Sequence, residues 1–342
     1  MKNLITLERF NEITNKFATL TPIVVVGDVG IDKYTFGEVK RISPEAPVPV
    51  LEVTKEWLKL GLAANISHNL KTLGVQSTLC GVVGEDNNAN VFDTLLEDEK
   101  LNTWGIVRTN SRPTIFKERV TTNTQQICRI DYESSEDIDD ATEKKLIARF
   151  DEFSKTHAAV IIEDYAKGSL TKNVISYLIS KFKEEKKLVA VDPGRSTPPM
   201  YYKGANLLKP NLAEARAMVE SLGYKEKKVE GMAKILVEKL ELDMLVITLG
   251  ADGMALMDVK KSSELKIIPT VANEVFDVSG AGDTAISALT SSLLAGASLE
   301  EAAWISNCAS GVVVAKKGTA TVDLKELNHF YLELVRKLQS KK

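Results

Sequence analysis

Cysteine and histidine are scarce in this sequence, and their positions exclude the common metal and disulfide frameworks. The three cysteines, Cys80, Cys128 and Cys308, are far apart, and none belongs to a CxxC pair. The three histidines are equally scattered and form no zinc-ligand pattern. The sequence therefore predicts buried free thiols in a reducing compartment, and it argues against zinc chemistry.

The sequence also lacks long apolar runs and an excess of charge of either sign. Its 44 Lys and Arg residues face 47 Asp and Glu residues, so the net charge is -3. Such a balance provides no global basic field to attract nucleic acid or an anionic membrane. Residues 1–21 mix charged and apolar positions at helical spacing, unlike the apolar core of a signal peptide. These features predict a cytoplasmic protein without nucleic-acid or membrane partners.

Two widespread nucleotide-binding motifs are missing as well. No G-x-x-x-x-G-K-[ST] segment occurs, so the sequence offers no P-loop to hold phosphates. The segment Gly27-Asp28-Val29-Gly30 follows a strand-like run, but it lacks the third glycine of a dinucleotide fingerprint. Asp28 would also place a negative charge beside a pyrophosphate. A dehydrogenase is therefore disfavoured.

What the sequence does contain is a regular alternation of short β-branched runs with helical patterns. This alternation predicts an α/β fold in which helices cover both faces of a mostly parallel sheet. The continuous apolar character of the runs fits strands that are buried on both sides. The predicted strands are 23–26, 77–83, 158–162, 188–191 and 244–248. The predicted helices between them are 63–73, 88–99, 142–153, 170–184 and 212–222.

Two segments interrupt this alternation. Residues 34–53 contain Pro44, Pro47 and Pro49, which exclude a helix and favour extended structure. Residues 114–132 contain two β-runs joined by a turn. We expect the two segments to pair as a small antiparallel sheet that projects from the body as a lid, although two ordinary edge strands would give the same pattern. No internal repeat or linker occurs, so residues 1–342 are predicted to form a single domain.

The strongest chemical signal is the octapeptide Phe276-Asp277-Val278-Ser279-Gly280-Ala281-Gly282-Asp283. The small residues Gly280, Ala281 and Gly282 let a ligand approach the backbone, and they lead into an apolar helical run. Their N–H groups would form an anion hole at a helix N-terminus. Beside that hole, Asp283 could take the proton of an attacking hydroxyl while the amides stabilise the γ-phosphoryl group. The alternative is that Asp283 only caps a buried helix.

Two further segments fit the same chemistry. Asn211 and Glu214 lie one turn apart at the start of a helix, where they could hold Mg²⁺ through water, but they equally match a helix capping box. Residues 246–253 form a strand that ends in a glycine-rich turn, which suits either a nucleotide close to the backbone or a plain hairpin. The two segments and the octapeptide each follow a predicted strand. This order along the chain favours a kinase.

With these motifs the sequence resembles the ribokinase-like (PfkB) carbohydrate kinases over essentially its whole length. Residues 277–283 are similar to that family's C-terminal signature. Within the family, the sequence is most similar to the heptose-7-phosphate kinases of bacterial lipopolysaccharide assembly. The segments that carry this narrower resemblance are Gly27-Asp28 with Asp32 and Tyr34, then 41–50, 163–168 and 311–316.

The resemblance implies a reaction and partners. The γ-phosphoryl group of ATP, with Mg²⁺, would be transferred to the anomeric hydroxyl of D-glycero-β-D-manno-heptose 7-phosphate, which gives the 1,7-bisphosphate. It also implies a homodimer joined through two lids, and a separate adenylyltransferase in the same pathway, because bifunctional relatives carry that domain fused. The alternatives are a kinase for another sugar or nucleoside and a catalytically silent nucleotide-binding regulator. The presence of Asp283 beside the anion hole argues against the silent regulator.

The resemblance also assigns roles to individual residues. The base is Asp283, and the anion hole consists of Gly280, Ala281 and Gly282. Contacts to the nucleotide are assigned to Asn211, Glu214, Thr248, Gly250, Gly253 and Asn307, with Mg²⁺ held by the first two through water. Contacts to the sugar hydroxyls and the 7-phosphate are assigned to Asp28, Asp32, Asn65, Lys117, Arg119, Asp164 and Lys167.

One position departs clearly from the family pattern. Relatives carry Gly-Gly-Ala-x-Asn where this chain has Gly61-Leu62-Ala63-Ala64-Asn65. Leu62 either faces the sugar, where it would restrict close approach of the backbone, or continues the apolar stripe of Ile66 and Leu70 into the core. We expect the core placement. A milder departure is Glu163, where relatives often have a small residue.

Overall fold

Two β-sheets and ten α-helices make up the part of the chain that the computed structural model describes, namely residues 4–272, 274–316 and 318–339. The helices are α1 (Leu7–Asn15), α2 (Ala63–Thr72), α3 (Asn87–Asp98), α4 (Asp140–Thr156), α5 (Lys172–Glu184), α6 (Leu212–Ser221), α7 (Val229–Leu240), α8 (Ala281–Leu294), α9 (Leu299–Val313) and α10 (Leu324–Gln339). The strands are β1 (Ile23–Gly27), β2 (Val29–Ile42), β3 (Pro49–Leu62), β4 (Ser77–Gly84), β5 (Asn102–Thr109), β6 (Ile115–Thr121), β7 (Gln126–Tyr132), β8 (Ala159–Glu163), β9 (Leu188–Asp192), β10 (Leu207–Leu208), β11 (Met244–Thr248), β12 (Met254–Asp258) and β13 (Ser262–Ile268).

The larger sheet has nine strands in the order β13-β12-β11-β10-β9-β8-β1-β4-β5. All neighbours from β11 to β5 in that order are parallel, and only β12 and β13 are antiparallel additions at one edge. Strands β1 and β8 are buried at every position, because helices cover both faces of the sheet. The predicted fold class, a mostly parallel sheet between helix layers, is confirmed.

Alternate residues of β1 serve two separate hydrophobic cores. Ile23 and Val25 pack with α1, α2, α3, α8, α9 and α10, whereas Val24 and Val26 pack with α4, α5, α6 and α7. This division follows from the geometry of a strand, in which successive side chains point to opposite faces. Among the helices in the described ranges, none is both long and apolar enough to cross a membrane.

The second sheet has four strands in the order β3-β2-β6-β7. It contains the predicted lid segments 34–53 and 114–132, but β2 and β3 run further, back to Val29 and on to Leu62. The expectation of an antiparallel sheet was wrong at one pairing, because β2 and β6 are parallel. These strands are joined by a long crossover through the main sheet rather than by a hairpin, which permits the parallel arrangement. A single domain over residues 1–342 stays a prediction.

Candidate active site

The carboxyl ends of the parallel strands bring polar side chains to one edge of the nine-stranded sheet. Asp28 follows β1, while Glu163 and Asp192 are the last residues of β8 and β9. The strand register aligns Gly27 with Glu163, and Glu163 with Asp192. Open α/β sheets bind their ligands at this edge. Helix α8 begins there too, because a Cβ placed on Gly282 would lie 3.7 Å from Asp192 Oδ2.

The turn that precedes α8 has the backbone shape of an anion-binding site. Gly280 has a φ of 79°, a left-handed conformation that glycine adopts without steric cost. The N–H of Ala281 donates to the Val278 carbonyl at 3.2 Å, so this amide is already used within the turn. The amides of Gly282 and Asp283 come next in the first turn, where an α-helix provides no acceptor. The anion hole of Gly280, Ala281 and Gly282 stays a prediction, and the Asp283 N–H is a further candidate donor.

Asp283 lies in the first turn of α8 and is only 6% exposed. Its Oδ2 accepts a hydrogen bond from Asn65 Nδ2 at 2.5 Å, and its Oδ1 accepts one from the Tyr165 hydroxyl at 3.1 Å. Burial raises the pKa of Asp283 to about 6, against the hydrogen bond from Asn65, which lowers it. Such a carboxyl group is ionised at neutral pH and basic enough to take a proton from a hydroxyl.

A buried cluster of charges surrounds Asp283. Lys209 Nζ pairs with Asp192 Oδ2 at 2.6 Å, and both side chains are buried. Glu163 is also buried, and within the described ranges its Oε2 has no hydrogen-bond partner. Burial and the charge of Asp192 raise the pKa of Glu163 well above its ordinary value, and burial raises the pKa of Asp192.

Sequence reasoning did not assign Asp192, Lys209 or Tyr165 to the site. The available signal was position, since Asp192 ends a buried strand and Lys209 directly follows another. A charged residue at the carboxyl end of a buried parallel strand faces the ligand edge of the sheet. Strand β10 is only two residues long, and although the segment with Asn211 and Glu214 was predicted to follow a strand, Lys209 was not singled out.

The side chains of Asn211 and Glu214 form a helix capping box, which was the alternative to their predicted role in holding Mg²⁺. Asn211 Oδ1 accepts from the Glu214 N–H at 2.9 Å, and Glu214 Oε2 accepts from the Asn211 N–H at 2.8 Å. The second oxygen of Glu214 takes no part in the box. Burial raises the pKa of Glu214, and the nearby charge of Asp192 adds to the rise.

Mg²⁺, which the fold family implies, is compatible with these residues. Four carboxyl groups face a single buried ammonium group, and hard cations prefer carboxylate oxygen. No cluster of three or more acidic, histidine or cysteine side chains in the described ranges is arranged to hold an ion directly. The donor set therefore fits a cation held largely through water and phosphate oxygens. The carboxyl groups concerned are Glu163, Asp192, Glu214 and Asp283, with Lys209 as the ammonium.

A cavity of about 560 Å³ opens beside the first turn of α8. The predicted nucleotide residues Thr248, Gly250, Gly253 and Asn307 all line it, together with Gly282. The Asn307 side chain donates to one backbone carbonyl and accepts from one backbone N–H of the segment after β13, so it shapes the wall. A cavity of this size with a largely apolar wall suits a nucleoside. Apolar parts of the wall are Ala251, Met254, Ala272, Val275, Val278 and Val314.

Basic side chains lie on the second sheet and in the loop after β8. Arg119 on β6 pairs with Asp32 on β2 at 2.6 Å. Lys117 and Lys167 both contact Glu133, each at 2.5 Å, so two ammonium groups converge on one carboxylate. Lys117 Nζ also lies 3.5 Å from Asp131 Oδ2, so two carboxylates balance the two ammonium groups. A phosphate monoester would bind the lysines by taking the place of a carboxylate.

Two predicted sugar ligands turn their carboxylates to the protein instead. Asp28 is fully buried and accepts hydrogen bonds from three backbone N–H groups within residues 165–169, at 3.0 to 3.2 Å. Asp164 accepts from the hydroxyls of Thr197 and Tyr202 at 2.7 and 2.6 Å. Carboxylates engaged in this way organise the loop after β8. The contacts of Asp28 and Asp164 to the sugar stay a prediction.

Comparison with known proteins decides the family. Residues 21–326 match the pfkB family carbohydrate kinase description. The chain belongs to the pfkB carbohydrate kinase family. This pfkB kinase is 40% identical over 308 residues to the bifunctional protein HldE of a Nitratiruptor species and 39% identical over 307 residues to that of Haemophilus influenzae. These alignments cover 90% of this chain but 64% and 63% of the relatives, so the chain spans less than two thirds of their length.

Solved structures of the same fold agree with this assignment. The Arabidopsis thaliana ribokinase, solved with ribose and ATP, has a TM-score of 0.69 at 20% identity, over 91% of this pfkB kinase and 98% of that chain. Escherichia coli phosphofructokinase-2, solved with fructose-6-phosphate, has a TM-score of 0.74 at 18% identity, over 92% and 100%. These likenesses show the fold, and the family makes the chain a carbohydrate kinase, as predicted.

Leu62, the departure from the family pattern, ends β3 and precedes α2 in this pfkB kinase. Its side chain is buried, but it belongs to neither of the two large apolar clusters of the described residues. Burial fits both a core and a sugar-facing placement, so the expected core placement stays a prediction. Its backbone has φ 58° and ψ -139°, a conformation that glycine adopts freely and a bulky residue adopts only with strain.

Proposed function

We propose that this pfkB kinase transfers the γ-phosphoryl group of ATP to the anomeric hydroxyl of D-glycero-β-D-manno-heptose 7-phosphate. The observation that supports the proposal is the position of Asp283. It follows Gly282, which lines the nucleotide cavity, and it accepts a hydrogen bond from Tyr165, whose loop carries Lys167. A base, a nucleotide cavity and a cationic group thus adjoin one another at the carboxyl edge of the sheet.

In this proposal Asp283 accepts the proton of the attacking hydroxyl. The hydroxyl oxygen forms the new bond to the γ-phosphorus, while the bond from that phosphorus to the β,γ-bridging oxygen breaks and ADP leaves. A carboxyl group whose pKa is about 6 is ionised and ready to act at neutral pH. The N–H groups of Gly282 and Asp283 would donate to the γ-phosphoryl oxygens, where negative charge is concentrated in the transition state.

Mg²⁺ would be held near Glu214 through water and would neutralise charge on the phosphates. The protein's own contribution is an acidic surrounding that attracts the cation. Lys209 offsets part of that charge, since its pKa is raised by Asp192 and Glu163 despite its burial, which lowers the pKa. The capping box with Asn211 orients the Glu214 side chain.

The substrate class follows from the lysines that converge on Glu133. Lys117 and Lys167 lie on different segments, and a phosphate monoester could replace Glu133 between their ammonium groups. The similarity to the bifunctional HldE proteins supports the heptose 7-phosphate in particular. A different sugar phosphate is the second candidate, because Leu62 brings a bulky side chain to a position where relatives carry glycine.

The partner proposals concern assembly and pathway. The second sheet exposes a set of large apolar side chains, which a second copy of the chain would cover in a homodimer. A separate adenylyltransferase in the same pathway is part of the same proposal. The exposed side chains are Val39, Ile42, Val53 and Leu58 on β2 and β3, Val48 between them, and Ile130 and Tyr132 on β7.

An ADP-release assay across a panel of acceptors tests the substrate. The panel contains D-glycero-β-D-manno-heptose 7-phosphate, the unphosphorylated heptose, fructose 6-phosphate and ribose. We expect the highest kcat/KM with the heptose 7-phosphate, and a selective rise of its KM in Lys167→Met. The matched control is Lys234→Met, which removes a surface lysine of α7. Equal turnover of heptose with and without its phosphate would contradict the proposal.

A further inference from the structure

Thr319, which follows α9, is bound to the second sheet by its side chain and by its backbone. The Thr319 hydroxyl shares a hydrogen bond of 3.1 Å with the hydroxyl of Tyr34 on β2, and both residues are only 9% exposed. The Thr319 carbonyl oxygen accepts a hydrogen bond of 2.5 Å from Lys59 Nζ on β3. These partners lie 285 and 260 residues away in sequence, so the contacts are set by tertiary packing.

Tyr34 and Lys59 belong to the face of the second sheet that carries predicted sugar contacts. Tyr34 lies two positions after Asp32 on β2, so the two side chains point to the same face. Asp32 is paired with Lys59 of β3, and Tyr34 is paired with Arg119 of β6. Arg119 also forms the ion pair with Asp32, and its guanidinium carbon lies 5.3 Å from the centre of the Tyr34 ring. We call this face, with Asp32, Tyr34, Lys59 and Arg119, the acceptor face.

On its other side Thr319 lies against the turn that carries the predicted anion hole. A Cβ placed on Gly280 would lie 3.0 Å from Thr319 Cγ2, so the turn and the threonine are packed without space between them. The preceding residue, Gly318, donates its N–H to Asp277 Oδ2 at 3.0 Å. Asp277 Oδ1 in turn accepts from the Ser279 N–H at 2.9 Å. The turn is therefore joined to Thr319 by packing and to Gly318 by hydrogen bonds.

We propose that Thr319 is a positioning residue for phosphotransfer, which holds the turn before α8 at a fixed place relative to the acceptor face. The inference rests on the proposed function, because it requires an acceptor on that face and a γ-phosphoryl group at the turn. The Thr319 hydroxyl and carbonyl fix one side, and its methyl group fixes the other. The acceptor hydroxyl and the γ-phosphorus thereby stay aligned, and such positioning is a large part of catalysis in phosphoryl transfer.

Two conservative variants separate the two sides of Thr319. Thr319→Val removes the hydroxyl and keeps the methyl group, whereas Thr319→Ser keeps the hydroxyl and removes the methyl group that lies against Gly280. We expect kcat to fall about tenfold in each, with KM for ATP and for the sugar phosphate changed by less than about twofold, because misaligned substrates still bind. Tyr34→Phe removes the same hydrogen bond from its other end, so its addition to Thr319→Val should cause no further loss.

Amide hydrogen exchange of residues 276–283 in the free enzyme is a second measurement, and it needs no acceptor. We expect faster exchange of this segment in both Thr319 variants, because the turn loses its support. The matched control is Thr35→Val, which removes a buried threonine hydroxyl that donates to Glu118 within the second sheet. The control should change neither kcat nor exchange of the segment.

Unchanged exchange of residues 276–283 in Thr319→Val would overturn the inference. A wild-type kcat in this variant, or an equal loss of kcat in Thr35→Val, would overturn it as well. If the wild type phosphorylates no acceptor, the proposed function fails, and the exchange measurement still decides whether Thr319 holds the turn.

Discussion

Asn65 in the first turn of α2 donates a hydrogen bond of 2.5 Å to Asp283 in the first turn of α8, across 218 residues of sequence. A second bond, from Thr284 Oγ1 to Asn69 Oδ1 at 2.7 Å, continues the contact one turn further along α2. The two helices therefore begin together at the carboxyl edge of the sheet. This relationship links Asn65, which was predicted to bind the sugar, to the turn that carries the proposed anion hole.

The pH dependence of activity follows from the buried position of Asp283. Burial raises the pKa of this group to about 6, so the fraction in the basic form falls as the pH drops below that value. We expect kcat/KM to be level above this limb and to fall about tenfold for each pH unit well below it. If kcat/KM instead stays constant as the pH falls below about 6, while circular dichroism shows that the protein is still folded, Asp283 is not the titrating base.

Replacement of the base tests its role directly. Asp283→Asn keeps the shape of the side chain but replaces one acceptor oxygen by an NH₂ donor, and the amide cannot accept a proton. We expect kcat to fall by about 10² to 10⁴ with little change in ATP affinity. Calorimetric ATP titration and single-turnover kinetics measure the two quantities. The control is Asp140→Asn in the first turn of α4, which should keep wild-type kcat. Turnover of Asp283→Asn within a few-fold of wild type would refute the assignment.

The central parallel sheet was predictable because buried parallel strands have a strong sequence signal, namely a continuous run of apolar residues. β1, β8 and β11 are unbroken runs of β-branched and other apolar residues, and they lie nearly at the predicted bounds. The bounds of β10 were not predicted, since two residues carry no periodicity, and the antiparallel edge strands β12 and β13 were missed. The parallel pairing of β2 with β6 depends on a long crossover that local patterns do not describe.

The parts of the site that depend on backbone conformation could be predicted from the sequence. The parts that depend on the direction of a side chain could not. Gly280 and Gly282 mark a turn and a close approach, so the start of α8 could be placed from sequence. Asp28 lies after a strand as predicted, but its carboxylate turns to backbone N–H groups near Lys167, 139 residues away in sequence. Such a distant partner depends on tertiary packing. The same holds for Lys209, whose partner Asp192 lies on another strand.

The buried pair of Lys209 and Asp192 should contribute strongly to stability. Lys209→Met keeps much of the side-chain volume but leaves Asp192 without its cation, which costs about 3–5 kcal/mol in buried pairs. The exposed pair of Lys234 and Glu230 provides the control, and Lys234→Met should cost less than about 1 kcal/mol. Urea denaturation of both variants measures the difference.

The loss of stability in Lys209→Met should also depend on pH, and the direction of this dependence follows from the pKa of Asp192. Burial raises the folded-state pKa of Asp192 even in the wild type, and removal of the lysine raises it further. A carboxyl group with a raised folded-state pKa binds a proton in the folded state first, so stability rises as the pH falls towards the unfolded-state pKa. We therefore expect a smaller deficit at acidic pH than at neutral pH. A deficit that grows on acidification would contradict this reading of the cluster.

The exposed apolar side chains of the second sheet predict a dimer that a single charge can disrupt. Val53 on β3 is 55% exposed, and Val53→Lys would place an ammonium group in the proposed interface. We expect light scattering at micromolar concentration to show a dimer for the wild type and a monomer for this variant. The control is Val259→Lys, at a 43% exposed valine beside β12 of the main sheet. A monomeric wild type with full activity would exclude this mode of assembly.

Backbone strain at Leu62 leads to a prediction that reverses the usual order of substitutions. Leu62→Ala removes the buried side chain but keeps the conformation of φ 58° and ψ -139°, whereas Leu62→Gly removes the side chain and relieves the strain. We expect Leu62→Gly to be more stable than Leu62→Ala by about 1–3 kcal/mol, although glycine is normally the less stable of the two in regular structure. Thermal melts and chemical denaturation measure this difference.

If Leu62 also narrows the acceptor pocket, both variants should lower KM for the sugar phosphate and leave KM for ATP unchanged. Leu60→Ala is the control, since Leu60 belongs to a core cluster and its loss should cost stability without improving KM. Equal or lower stability of Leu62→Gly relative to Leu62→Ala would show that the backbone at this position is not strained.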